Sequence, residues 1–474
     1  MSEDIDSRTG SAPLGPSDPA APPDPVTPAE RHTFRRKVIG WGAIAAVASA
    51  VLALAANLSE VFGWLKPDET RAIVEQTQST IEDTDQKVNE LVTLLRNQAA
   101  ASGMSLDVEA EAAIRNAVEA IVISGDREKQ AALAKMNDGD VAGAAAALEK
   151  LARSQGEAAA TTGSTAAASW REAAALYDTV DVEKAAHAYE QAVAHQPHDA
   201  ALQDDLGHAL IRAGRNADAR HRFESALAEE PEPAVRASAL LGLGQLARQE
   251  GDYSQASMHF EEALAVATAG GARTERVYAL RSLGVLRRAE GDPAAAAEYL
   301  DEALDLAEES GDDSLRALVL SAIGSNAAAI EDYDTATARL NEALDIYKAQ
   351  NDLPKQAIVI GNLGAVALKR GDLDVAEPLL LESVELGEKL KWPTSIAYDM
   401  INLAMISGAR ENWAEADERL GRAQQIAEDT QLAELVPVII FNRGEIAQSS
   451  GDLDAACRFW TEAAPMFVEM GSEH

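Results

Sequence analysis

The sequence predicts an all-α protein whose folded part is a solenoid of helical hairpins, and three observations predict it. A pattern of small and large residues returns every 40 positions over the C-terminal half of the chain. Within each period the small residues stand at helical spacings from the large ones, with a turn signal between them. Finally, 47% hydrophobic and 25% charged residues in 474 are the proportions of folded protein, enough for an extended array and incompatible with disorder throughout.

Charge narrows the partners. Acidic residues exceed basic ones by 37, and all but one of that excess falls in residues 67–474. A surface this negative repels nucleic-acid phosphates and anionic lipid head groups, so no nucleic-acid partner is expected. The single cysteine, Cys457, forms no internal disulfide and no thiolate metal site.

Taken in order, residues 1–37 are a disordered arm, since seven of the seventeen prolines fall in the first thirty positions and neither helix nor strand propagates through them. Arg31, Arg35, Arg36 and Lys37 then precede residues 38–58, twenty-one positions without a charge. At ~1.5 Å per residue these span a hydrocarbon core of ~30 Å. Trp41 and Trp64 stand near the two ends as interfacial anchors. The expectation is a single-pass inner-membrane anchor of bacterial type, with the N-terminus cytoplasmic by the positive-inside bias and the repeats periplasmic. A secretory leader is the alternative, with Ala53-Leu54-Ala55 as its cleavage site, and the 37 residues ahead of the apolar run argue against it.

Within residues 70–98, Val74, Thr77, Ile81, Thr84, Val88, Leu91 and Leu95 step by three and four, the seam of a coiled-coil-like stalk. The seam fits a parallel homo-oligomer, or an amphipathic helix laid against its own chain. Residues 105–153 have helical pattern and hold a degenerate repeat around Asn137-Asp138-Gly139-Asp140, Ala144 and Leu148, and residues 154–166 are low in complexity and read as a flexible linker.

Residues 167–474 carry the repeat. Gly244, Gly284, Gly324, Gly364, Ala404 and Gly444 lie 40 apart, and seven residues after each stand Gly251, Gly291, Glu331, Gly371, Glu411 and Gly451. Ala256, Ala296, Ala336, Ala376, Ala416 and Ala456 follow, then a large residue (Phe260, Leu300, Leu340, Leu380, Leu420, Trp460). Antiparallel helices approach closely only over small side chains, so these positions mark helix crossings and the Gly-Asp between them marks the turn. The spacing resembles the tetratricopeptide repeat, with 34-residue forms upstream at Leu206-Gly207, Gly214, Ala219 and Phe223 and at Trp170, Ala174, Ala185 and Tyr189, giving eight repeats. The 40-residue step is similar to that of kinesin light chains and of many bacterial regulators. The resemblance implies a right-handed solenoid whose concave face, lined by the first helix of each repeat, binds a segment of another protein.

No catalytic constellation accompanies this pattern, and neither enzyme activity nor a cofactor is expected. Gly242-x-Gly244 follows no strand, so its likeness to a dinucleotide fingerprint is a consequence of helix crossing. His187, His195, His198 and His208 lack a cysteine or carboxylate at metal spacing, and Cys457 reads as a small core residue. The candidate site is the groove. Asn362, Asn402 and Asn442 recur 40 apart on the first helices, and an amide that both donates and accepts can hold a peptide backbone without reading its side chains. The resemblance to kinesin-light-chain repeats implies that same role; the alternative is that these amides bond the neighbouring helix or the preceding turn. Ile358, Leu368, Tyr398, Ile401, Met405 and Phe441 make the C-terminal half-groove apolar, and Arg248, Arg281 and Arg288 make its middle basic. The chain therefore reads as a membrane-anchored, non-enzymatic scaffold or adaptor that takes basic or apolar peptide segments. A cytoplasm-facing regulatory sensor and a periplasmic assembly factor or holdase are the alternatives.

Overall fold

The computed structural model describes residues 67–102, 104, 106, 108–157, 163–390, 392–430, 432 and 435–469. The chain forms two compact units, Met1–Ile81 and Glu82–His474. In the first, the described residues are the opening turns of helix α1 (Pro67–Ala101). The arm and the apolar run at 38–58 lie outside the described residues, and among those that are described no helix is long and apolar enough to cross a membrane.

The second unit is all helix among its described residues. After α1 come α2 (Val108–Val122), α3 (Arg127–Asn137), α4 (Val141–Glu157), α5 (Gly163–Tyr177), α6 (Val182–His195), α7 (Ala200–Arg212) and α8 (Asn216–Ala228). Six longer hairpins follow: α9 (Pro233–Gln249) with α10 (Tyr253–Gly270), α11 (Arg273–Ala289) with α12 (Pro293–Ser310), and α13 (Asp313–Ala329) with α14 (Tyr333–Ala349). Then come α15 (Leu353–Arg370) with α16 (Leu373–Lys389), α17 (Pro393–Ala409) with α18 (Trp413–Asp429), and α19 (Leu435–Ser450) with α20 (Leu453–Glu469). From α5 onward the helices pair as eight successive repeats, each packed on the next.

The Gly-Asp pairs explain how each hairpin closes. Gly251, Gly291, Gly371 and Gly451 take left-handed φ of 79–90°, which ends the first helix without a Cβ clash. The aspartate that follows starts the second helix: Asp252, Asp292 and Asp452 accept from the amides of Gln255, Ala295 and Ala455 at 2.9–3.0 Å. At the crossing, an ideal Cβ on Gly284, Gly324 or Gly364 would meet the facing leucine Cγ at 2.7 Å, closer than a real Cβ comes. Gly244 and Gly444 face the rings of Phe260 and Trp460 in the same way. Repeat seven accommodates Ala404 there, fully buried over Leu420.

Two readings of the N-terminal segment change in the structure. The stretch 154–166, read as a flexible linker, is helix up to Glu157 and again from Gly163, and α4 packs on α5 as closely as the two helices of a repeat do. The second half of the heptad seam is not a free stalk surface: Val88, Leu91 and Leu95 are buried inside the chain's own fold. Asn89 and Arg96 tie this helix to Arg115 and Glu111 of α2. That half of the seam is satisfied intramolecularly, which removes it as a coiled-coil interface.

Glu331 and Glu411, where glycine stands in the other 40-residue repeats, are forced to φ of 63° and 62°. A side chain in the left-handed region costs about 1–2 kcal/mol, partly offset by the greater entropy that glycine would have in the unfolded chain. Glu331→Gly and Glu411→Gly should therefore each stabilise the array by about 1 kcal/mol in urea titration followed by helicity. Gly371→Glu should lower it by a similar amount.

Candidate functional site on the first-helix face

Burial periodicity separates the faces of each first helix. In α15, Ala357, Ile360, Leu363, Val366 and Ala367 are buried, whereas Ile358, Asn362, Ala365 and Lys369 keep solvent contact at steps of four, three and four. The same stripe in α17 is Tyr398, Asn402, Met405 and Ala409, and in α19 it begins with Val438, Phe441 and Asn442. The four large apolar residues expected in the half-groove are open: Ile358 is 44% exposed, Tyr398 51%, Met405 36% and Phe441 43%. Ile401 and Leu368 belong to the core between repeats instead.

The asparagines recur at equivalent places but differ in bonding. Asn442 donates to the carbonyl of Val438 one turn back in its own helix, 2.9 Å. Asn362 and Asn402 are half-buried and make no side-chain hydrogen bond among the described residues, so both keep an amide for a ligand. Of the arginines, Arg248 is exposed and Arg288 half-buried, while Arg281 lies close to the buried Tyr347, whose hydroxyl burial pushes well above the usual phenol range.

Charge is segregated between the two layers. The first helices of repeats three to eight carry twelve basic and four acidic residues, the second helices six and twenty-four. Within these repeats the second-helix layer is acidic and the first-helix layer is locally basic in its middle.

The first-helix face is closed at one end by the chain itself. Helix α2 lies on α5 and α7, and both helices are buried on nearly every side, including the polar residues Glu172, Asp204 and His208. At its other end α2 reaches repeat six. Lys355 Nζ pairs with Glu111 at 2.6 Å and with Asp352 at 3.3 Å, and Arg96 of α1 lies 3.4 Å from each of those carboxylates. Ala100 packs beside this network on Ala357 and Leu390. Glu172 is bridged by Lys129 of α3. No periodicity announces the pairing of Lys355 with Glu111, which joins residues 244 apart.

A further residue escaped the sequence reading. Asp399 is the only charged residue of α17, stands in a column otherwise filled by Ala239, Ala279, Val319, Val359 and Ile439, and is 5% exposed. Burial pushes its carboxyl up to about 6. Its one partner is the Ser383 hydroxyl, which also reaches the Ala357 carbonyl at 3.0 Å, and its Oδ2 has no hydrogen-bond partner. Gly361 makes the room: a Cβ there would lie 3.0 Å from Asp399 Oδ1 and 3.1 Å from Ser383 Oγ. An acid in an apolar column of the repeat was the signal in the sequence.

The remaining heteroatoms form no reactive centre. Among the described residues no three metal-ligating side chains converge. His198 meets Glu229, and His208 meets Ser238 and the edge of Phe223. Cys457, expected in the core, is exposed on α20 because the packed face there is taken by Ala455, Ala456 and Ala463.

Tetratricopeptide-repeat models match residues 235–309 and 275–349, and a further one matches residues 176–243. These residues are tetratricopeptide repeats. No curated protein matches the chain. Among solved structures, the Rap protein complexed with competence and sporulation factor is 12% identical over 77% of this chain and 99% of its own, with a TM-score of 0.53. Aspartyl phosphate phosphatase F from Bacillus subtilis is 11% identical over 73% and 94%, TM-score 0.49, and BtubC (BKLC) from P. vanneervenii 22% over 48% and 93%, TM-score 0.39. At 12% identity the first of these is a likeness of fold, the all-α tetratricopeptide-repeat solenoid.

Two outcomes follow from this geometry. Lys355→Ala leaves Glu111 with Arg96 alone and should cost the docking of α2 about 2 kcal/mol, read as faster amide exchange over Val108–Val122. Asp399→Asn should change the pH dependence of melting. A raised acid pKa means that the folded state holds a proton more tightly than the unfolded one between about pH 4 and 6. Ionisation of Asp399 therefore weakens the fold as pH rises through that window. The variant should melt higher than the parent at pH 8, with the difference shrinking toward pH 4.

Proposed function

We propose that this chain is a membrane-anchored, non-enzymatic scaffold that binds peptide segments of partner proteins along the first-helix face of its C-terminal tetratricopeptide repeats. The observation that carries the reading is the open apolar stripe of repeats six to eight, where Ile358, Tyr398, Met405 and Phe441 stay exposed beside two unbonded amides, Asn362 and Asn402. Leaving four large apolar side chains in water is costly unless another surface covers them. The asparagines supply backbone-directed hydrogen bonds and the apolar residues supply the affinity. The solved Rap protein, complexed with competence and sporulation factor, supports the use of this fold for holding a bound partner.

The finer parts of the reading rest on the sequence. The uncharged run at 38–58 behind Arg35, Arg36 and Lys37 supports a single-pass anchor with a cytoplasmic N-terminus and periplasmic repeats. The 40-residue step supports placement in the kinesin-light-chain-like subclass. A second reading has one observation in its favour: α2 already occupies the N-terminal part of the first-helix face, as a regulatory sensor with an intramolecular occupant would require.

Photocrosslinking amino acids at Tyr398, Asn402 and Phe441, compared with Glu298 and Glu385 on second helices, test the proposal in the native membrane. Discrete adducts are expected from the first three positions and none from the last two. Adducts from the second helices alone would place binding on the outer layer and overturn it.

A further inference from the structure

We infer that the contact between repeats six and seven is a proton-operated joint beneath the binding face, locked while Asp399 carries a proton and loosened when it ionises. The inference rests on the peptide-binding reading above for its consequence, the regulation of that face.

Three helices meet at this joint. Ser383 of α16 donates to the Ala357 carbonyl of α15 at 3.0 Å, and both residues are fully buried. Asp399 of α17 meets the same hydroxyl. Gly361 of α15 lets the group close, since a Cβ there would lie 3.0 Å from Asp399 Oδ1 and 3.1 Å from Ser383 Oγ. A serine hydroxyl has a single proton. While Ser383 gives that proton to Ala357 it offers Asp399 lone pairs alone, and their contact is a hydrogen bond only when the carboxyl supplies the proton. Once Asp399 ionises, the hydroxyl is drawn toward the carboxylate and away from Ala357, and the tie between α16 and α15 is lost. Asp399 Oδ2, which has no hydrogen-bond partner, then carries buried negative charge that water entering between α15 and α17 would satisfy.

No neighbouring charge takes over this role. Helix α17 has no other charged residue. Lys355 and Arg370 of α15 pair with Glu111 and Asp334, Glu377 and Glu388 of α16 with Arg410 and Arg422, Arg419 of α18 with Glu415, and Arg443 of α19 with Asp417. Lys369 of α15, Glu382 and Glu385 of α16, Glu418 of α18 and Glu445 of α19 are exposed. The ionisation of Asp399 is set by burial and by Ser383, and burial holds the carboxyl up at about 6. In the same column the other 40-residue repeats place Ala239, Ala279, Val319, Val359 and Ile439, so their joints have nothing to titrate. Position gives this joint its leverage. Asp399 follows Tyr398, and Gly361 lies between Ile358 and Asn362, so a change in spacing between α15 and α17 moves two parts of the open apolar stripe relative to each other. A segment bound across both helices spans the joint and holds it shut.

Amide exchange of the full-length protein in nanodiscs, corrected for the intrinsic rate at each pH, tests the joint without any ligand. Leu353–Arg370 and Pro393–Ala409 should open about tenfold more often at pH 7 than at pH 5, while Arg273–Ala289 changes little. Asp399→Asn and Asp399→Val, which carry nothing to ionise, should keep the protection seen at pH 5 at both pH values. Equal protection of the parent at the two pH values, or the same rise in Asp399→Asn, would overturn the joint. Sixteen-residue peptides selected from a random displayed library at pH 5.5 then test its consequence: once bound, they should abolish the rise in exchange of α15 and α17 at pH 7. Peptides that are lost on Tyr398→Asp, yet leave that rise intact when bound to the parent, would show that the joint does not serve the face and overturn the inference. If no peptide is enriched, the peptide-binding reading falls, and the comparison of the parent with Asp399→Asn still decides the joint.

Discussion

Everything in the second unit hangs on one steric constraint, the near-contact of two antiparallel helices over a residue that has almost no side chain. Gly284, Gly324 and Gly364 leave room for Leu300, Leu340 and Leu380, and Gly244 and Gly444 leave room for the aromatic rings of Phe260 and Trp460. Because the large residue of the second helix enters the first helix at this one point, the opposite side of the first helix is turned away from its partner. Neighbouring repeats then cover its flanks. What remains is a single stripe, and its exposure is a geometric by-product of the crossing. The stripe is free to vary in chemistry from repeat to repeat without disturbing the fold, and this is where Phe441 differs from Arg281 and Ser321.

The same constraint decides what was legible beforehand. Hairpin closure, crossing points and the stripe all follow from residues that recur at a fixed step, so Gly251, Ala256 and Phe260 announce their neighbours in every later repeat. The exposed apolar residues of repeats six to eight were legible for the same reason, and so was the departure from glycine at Glu331 and Glu411, though not the left-handed backbone it meets there. The role of Asn442 was legible only in part, since its amide turns back onto Val438. Non-repeating contacts were not legible. The seam through Val88, Leu91 and Leu95 has the period of a coiled coil, and period alone does not say whether the covering surface belongs to another chain or to the same one. The pairing of Lys355 with Glu111 decides that question, and it depends on the register between the array and a helix some 240 residues earlier.

Acidity illustrates how a whole-chain average can mislead. An excess of 37 acidic residues suggests a uniformly negative surface. In the repeats it is uneven: second helices such as α12 and α16 are acidic, while α11 and α15 are basic. Many of the basic side chains on first helices bridge to carboxylates on second helices, as Arg276 does with Glu302, Arg287 with Glu261 and Arg443 with Asp417. Each such bridge is worth little at the surface, but the alternation fixes the sign of each layer. A ligand approaching the first-helix face therefore meets a field different from that of the molecule as a whole.

Closure at one end and openness at the other give the array a direction. The polar residues of the first repeats, Glu172, Asp204 and His208, are buried beneath the chain's own helices, whereas the apolar residues of the last repeats remain in solvent. Hydrophobicity alone does not account for which part of the face is covered, since Ile358, Tyr398 and Phe441 are left in solvent. The network of Arg96, Glu111, Asp352 and Lys355 gives the reason. It ends at the first turn of α15, just ahead of Ile358, and so anchors α2 at a place from which the apolar stripe begins. The chain thus covers the first helices of repeats one and two with its own helix and reaches repeat six through polar contacts, and leaves open the portion where a single buried carboxylate lies beneath a glycine.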